Sequence, residues 1–167
     1  MPIETTTLSH TVAIPLGAVH PEPPELHLPM GAARVALGFP SPAEDFLDEG
    51  IDLNQVLIRN PAASYLYRAS GWSMILAGIC DGDILVVDRS IEPVDGHIVI
   101  ATWEGNQPTC KVLRLMPTHI ELHCRNPRHT PIVLPLETEV EIYVVASVAR
   151  QMHRGHGQYS GSRTISA

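Results

Sequence analysis

The sequence predicts a compact, mostly β domain of largely antiparallel strands, carried behind a flexible N-terminal arm. Three observations predict it. From residue 64 onward, short runs rich in β-branched residues follow one another. The breaks between them carry turn chemistry, at Asp81-Gly82-Asp83, Asp95-Gly96 and Glu104-Gly105-Asn106. Before residue 39, six prolines interrupt any sustained period of 3.6 or 2.

In chain order, residues 1–38 hold three acidic residues and a single basic one, Arg34. Their "HPEPPELHLP" cannot form a helix, because proline removes donors and blocks the preceding turn. This segment reads as an extended or disordered arm. "PAEDFLDEG" allows one or two helical turns, with proline early and Gly50 at the end. "DLNQVLIRN" predicts a short helix with Asp52 as N-cap and a stop before Pro61. "SYLYRAS" alternates as a strand does. "DILVVD", "HIVIATW", "TCKVLRLM", "HIELHC" and "VEIYVVASVA" are the further strand candidates. The tail, residues 153–167, is rich in glycine and serine and reads as disordered.

Bulk properties narrow the function. The 167 residues suit one domain with a modest core. A net charge of −7 offers no basic footprint, so direct nucleic-acid binding is not expected. The start, "MPIETTTLSH", lacks a signal peptide's basic and apolar blocks, and no apolar run is long enough for a bilayer. No membrane association and a cytoplasmic location are therefore expected. The three cysteines, Cys80, Cys110 and Cys124, suggest no disulfide framework. Cys110, His119, His123 and Cys124 could be assembled into a metal site. Their spacing matches no compact zinc pattern, and solvated strand residues are the better reading. No metal and no cofactor are expected.

Two residues invite chemistry. Ser73 lies in "SGWSM", where Gly71 permits a sharp turn within an otherwise apolar stretch. Lys111 is the single lysine in a chain with ten arginines. Genome bias toward arginine explains that count; so does a position where arginine would fail. A buried lysine can lose its proton and serve as a base, whereas arginine stays protonated. A serine hydroxyl needs such a base to become a nucleophile. Backbone N–H groups at the turn could face a developing oxyanion. By itself, a serine in a turn plus a lysine on a strand is more often structural than catalytic.

A longer pattern adds to this. "GFPSPAEDF", "IDLNQVLIRNP" and "SGWSM", followed by "GDILVVD" and a lysine in a T-x-K strand, resemble the LexA/UmuD family of self-cleaving serine peptidases, in its UmuD branch. The likeness runs without a gap from Gly38 to Asp88 and more loosely to about Met152. It implies a LexA C-terminal-like, β-clip type peptidase domain over residues 39–152. Carried over by motif, Ser73 resembles the nucleophile and Lys111 the general base, with the backbone amides of Trp72 and Ser73 as oxyanion donors. The cleaved bond would lie between Leu37 and Gly38, which makes the arm a tethered substrate. The resemblance further implies a homodimer, a RecA–single-stranded DNA filament that stimulates cleavage, and a UmuC-type subunit with which the trimmed dimer forms an error-prone translesion polymerase. Leu37 stands where the family usually has alanine or cysteine, Trp72 where it often has a small or polar residue, and His97 where an acidic residue is common. The loop "WEGNQPT" is one residue longer, and the arm exceeds that expected of the UmuD branch.

Three other functions compete. A LexA-like repressor needs a DNA-binding domain, which the first 38 residues cannot supply. A signal-peptidase-like enzyme needs a membrane anchor. A non-cleaving accessory protein would use only the partner-binding surface of the same fold.

Overall fold

The computed structural model describes residues 11–22, 24, 27–28 and 51–152. "PAEDFLDEG", the bond between Leu37 and Gly38, and the tail from residue 153 lie outside the described residues.

The described chain is mostly β. Eight strands form one antiparallel sheet in the order β1-β4-β5-β10-β6-β7-β8-β9. These are β1 (Val12–Ala18), β4 (Ser64–Ser70), β5 (Ile84–Asp88), β6 (Ile98–Trp103), β7 (Thr109–Leu115), β8 (His119–His123), β9 (Ile132–Pro135) and β10 (Val140–Ala149). A two-residue pair, β2 (His27–Leu28) with β3 (Ile51–Asp52), stands apart. The sheet curls back on itself. β1 pairs along β4 and also meets β7 through the single pair Val12–Thr109.

Most strands coincide with the apolar runs of the sequence, and the reason is burial. In β5, Leu85, Val86, Val87 and Asp88 are all buried, because the strand has partners on both edges. Alternation divides the core in two. Leu85, Val87, Ile100, Cys110 and Val112 join Ala13, Tyr67, Ala69, Met74 and Ile79 on one side. Val99, Ala101, Leu113, Leu122, Leu134 and Val144 fill the other. Each fully buried Leu or Val contributes about 1.5–3 kcal/mol relative to exposure.

The helix predicted at residue 52 forms as α1 (Leu53–Leu57), with the Asp52 carboxylate accepting from the Asn54 N–H at 2.9 Å. It ends before Ile58 takes an extended backbone conformation. Two strands of the large sheet depart from the sequence reading, as does the short β2–β3 pair. β1 lies within the proline-rich arm, where no strand was expected, and β9 follows Pro131 and ends on Pro135. Both are edge strands, and an edge tolerates a residue without an N–H. β1 accommodates Pro15 and Gly17 by a register shift between them.

Candidate active site

β4 delivers the chain to Gly71, which turns with φ +104° and donates its N–H to Asp81 at 2.8 Å. A side chain at that φ would be strained, so glycine is what lets the strand break sharply here. Trp72, Ser73 and Met74 follow, then a short 3-10 helix, Ile75–Ala77. The turn is gripped from the far side by the loop after β8. The Arg125 N–H donates to the Ser73 carbonyl at 2.8 Å, and the Leu76 N–H to the Arg125 carbonyl at 2.9 Å. Asn126 Nδ2 donates to the Trp72 carbonyl at 3.1 Å. Met74 is fully buried and anchors the turn in the core. Ser73 is therefore fixed on both flanks rather than presented on a loose loop.

A second clamp holds the following segment. Asp83, buried at the start of β5, accepts from Arg150 Nε at 2.5 Å and from Arg150 Nη2 at 2.6 Å. The Arg150 hydrogen bonds hold the Asp83 carboxyl below the usual carboxylate range, against the opposing effect of burial.

β7 supplies Lys111. Its side chain has no solvent exposure, which is unusual for lysine and demands partners. It lies across from Val99 of β6, itself fully buried. Nζ sits 2.9 Å from Thr109 Oγ1, 2.9 Å from the Cys110 carbonyl and 3.2 Å from Ser73 Oγ. The Thr109 hydroxyl donates its own proton to the Thr11 carbonyl at 3.0 Å, so toward Lys111 it can only accept. The Cys110 carbonyl also only accepts. Three oxygens suit the three N–H bonds of an ammonium donating also to Ser73 Oγ; once the amine is neutral, Thr109 and Cys110 can take its two N–H bonds and its lone pair can turn to Ser73. Burial pushes the Lys111 amine below its ordinary pKa, which favours that neutral form. The neighbouring Cys110 thiol is pushed up to about 12 by its own burial, so it packs as a small apolar group. An amine whose lone pair faces a hydroxyl can take that hydroxyl's proton.

The structure thus brings Ser73 and Lys111 together. The Ser73 N–H points at Thr11 Oγ1, 2.9 Å away, and the Thr11 N–H donates to Ser73 Oγ at 2.8 Å. Trp72 is more than half exposed, and Ile75 and Leu76 that follow are exposed too. Leu37 and Gly38 lie outside the described residues. Sequence reasoning missed Thr11, Asp81, Arg125 and Asn126. The first lies in a segment with no periodic signal. The others are loop polar residues whose role depends on what the fold brings near them. Thr109 was visible as part of T-x-K, though its hydrogen bonds were not.

His119 and His123 do share one face of β8, where both contact Glu121, at 3.0 and 2.6 Å. Those hydrogen bonds, His123's first, lower the Glu121 pKa. Cys110 faces the core instead. Among the described residues no His, Cys, Asp and Glu group is arranged to hold a metal ion. Among them, too, no helix is long and apolar enough to cross a membrane.

Comparison with known proteins gives the family. Residues 29–148 match the Peptidase S24-like family. The chain is 41% identical to protein SamA of Salmonella typhimurium over 133 residues, 80% of this chain and 93% of SamA. It is 35% identical to protein MucA of Escherichia coli over 118 residues, 71% of this chain and 72% of MucA. Against the LexA repressor of Proteus mirabilis it is 34% identical over 106 residues, which span 64% of this chain and about half, 51%, of that repressor. A match covering most of the chain, with a buried Ser-Lys pair at its centre, carries one conclusion: the chain belongs to the Peptidase S24-like family, as a UmuD-like member of its LexA/UmuD group.

Proposed function

We propose that this protein is an SOS mutagenesis protein that cuts its own N-terminal arm between Leu37 and Gly38. The observation that carries the reading is the 3.2 Å approach of Lys111 Nζ to Ser73 Oγ, with both side chains fully buried. In the first step Lys111 takes the Ser73 proton and Oγ attacks the Leu37 carbonyl carbon. The resulting oxyanion accepts hydrogen bonds from the backbone N–H groups of Ser73 and Trp72. The C–N bond then breaks, Lys111 returns the proton to the Gly38 amine, and water hydrolyses the acyl-serine. Tethering supplies the scissile bond at high effective concentration, so a single amine suffices as activator.

The family relationship supports the remaining steps of the reading. A RecA–single-stranded DNA filament stimulates the cut, and the trimmed protein, as a homodimer, joins a UmuC-type subunit of an error-prone polymerase. The long strand β10 is compatible with a homodimer surface: only Val144 along it is buried, and Val148 is exposed. Intact-mass measurement after incubation with filament, or in alkali, tests the central claim. A fragment beginning at Gly38 is expected. An uncut chain under both conditions would leave the accessory, non-cleaving reading.

A further inference from the structure

One residue that touches Ser73 belongs to the chain's own arm. Thr11 is fully buried and holds the site at three points. Its N–H donates to Ser73 Oγ at 2.8 Å, its Oγ1 accepts from the Ser73 N–H at 2.9 Å, and its carbonyl accepts from Thr109 Oγ1 at 3.0 Å. That carbonyl also accepts from the Cys110 N–H at 3.2 Å. The neighbouring Val12 pairs with Ser70 on one side and Thr109 on the other. The Ala13 N–H donates to the Pro108 carbonyl at 2.8 Å, and the Ala13 methyl is buried in the core. A groove between the end of β4 and the start of β7 is thus filled by an extended peptide, held by main-chain bonds and one small side chain.

This occupant is not in a substrate pose. It presents an N–H to the nucleophile, and its carbonyl is held against β7, away from Ser73 Oγ. Its hydroxyl oxygen takes the N–H that an oxyanion would need. A serine oxygen already accepting from Thr11 is a poorer nucleophile, and an incoming carbonyl finds its place taken.

The occupant is held by strand pairing more than by apolar burial. Beyond Ala13 every residue of β1 is exposed, with Ile14 at 47% and Leu16 at 46%. Pro15 brings no N–H to the ladder, and the register shifts between Pro15 and Gly17. Burial secures only the end that covers the dyad.

We propose that residues 11–18 are a built-in reversible inhibitor of the dyad. They occupy a peptide groove between Ser70 and Thr109, and they must leave that groove before the scissile segment can enter. The ligand class of the groove is an extended peptide with a small apolar residue at the position of Ala13. This inference rests on the self-cleavage reading.

The test compares wild-type full-length protein with Ala13→Glu, which cannot bury its carboxylate and expels the strand, and with Thr11→Val, which keeps the shape and loses only Oγ1. Self-cleavage is followed at alkaline pH, and amide hydrogen exchange is read at Ser73 and Cys110. Faster exchange at both amides is expected in Ala13→Glu, with cleavage accelerated roughly tenfold or more, the scale of losing one or two hydrogen bonds of the inhibited state. Thr11→Val is expected to cut several-fold faster, and it carries the test if Ala13→Glu fails to fold. A synthetic peptide of residues 10–19 is expected to slow the Ala13→Glu variant again. Freed amides with cleavage no faster than wild type, or a folded Thr11→Val that cuts at the wild-type rate, would overturn the inhibitory role. Absence of cleavage in all three chains would instead overturn the self-cleavage reading, and the inhibitory role with it.

Discussion

The two strands that flank the dyad differ sharply in how they are held. In β7, Thr109, Cys110, Lys111, Val112 and Leu113 are all buried, and the strand pairs along its length with β6 and β8. In β1, only Ala13 is buried, and the long pairing is with β4 alone. β7 is committed to the fold and carries Lys111. β1 contributes main-chain hydrogen bonds and little apolar burial, yet Thr11, the residue just before it, lies on Ser73. The comparison teaches that Lys111 and the segment lying over Ser73 are attached with different amounts of apolar burial. Displacing β7 would expose five buried residues; displacing β1 would expose one, Ala13.

The strongest way to break the comparison is through the dyad itself. Lys111→Arg and Ser73→Ala are expected to lower self-cleavage by on the order of 10⁴-fold or more, in alkali or with filament. Guanidinium keeps the charge but cannot accept the proton. Arginine is larger in a fully buried position, so Lys111→Met, unbranched and no longer than lysine, serves as the companion variant. Cleavage by Lys111→Arg at the wild-type rate would reduce Ser73 to a turn residue.

Stability sharpens the contrast next. Leu113→Ala in β7 removes a fully buried side chain and is expected to cost about 2–5 kcal/mol in urea unfolding. A loss below that range would mean that β7 is not the committed strand. The pH dependence of stability supplies a smaller effect with a definite sign. The Lys111 pKa is lowered in the folded state, whereas the unfolded chain titrates near about 10.4. Between these values the unfolded state binds more protons, so wild-type stability rises with pH. Below the folded pKa the full cost of the buried charge is present; above about 10.4 it is gone. Each unit of separation corresponds to about 1.4 kcal/mol. Lys111→Met is expected to lack this rise, and parallel stability curves for the two proteins would contradict a desolvated amine.

The smallest effect is predicted for the outer part of β1. Ile14→Ser is expected to change stability by no more than about 0.5 kcal/mol, because nearly half of Ile14 is already exposed. A loss of several times that would show that the strand is held as firmly as β7.

The sequence alone determined the strands whose two edges are both paired. "DILVVD" and "HIVIATW" became β5 and β6 because continuous apolar burial writes itself into composition. It also determined the capped helix at Asp52 and the turn at Gly71, where a local rule suffices. It named Ser73 and Lys111 through motif and through a residue count, though 38 positions separate them. Only the tertiary structure decided the rest. β1 and β9 carry prolines that a single-strand reading rejects, and they survive as edges because neighbours supply the pairing. Thr11 became the cover of the dyad because the sheet curls until the arm reaches β4 and β7 together. Local propensity acts over a few residues, whereas the proton state of Lys111 and the partner of Ser73 depend on groups brought together by closure of the sheet.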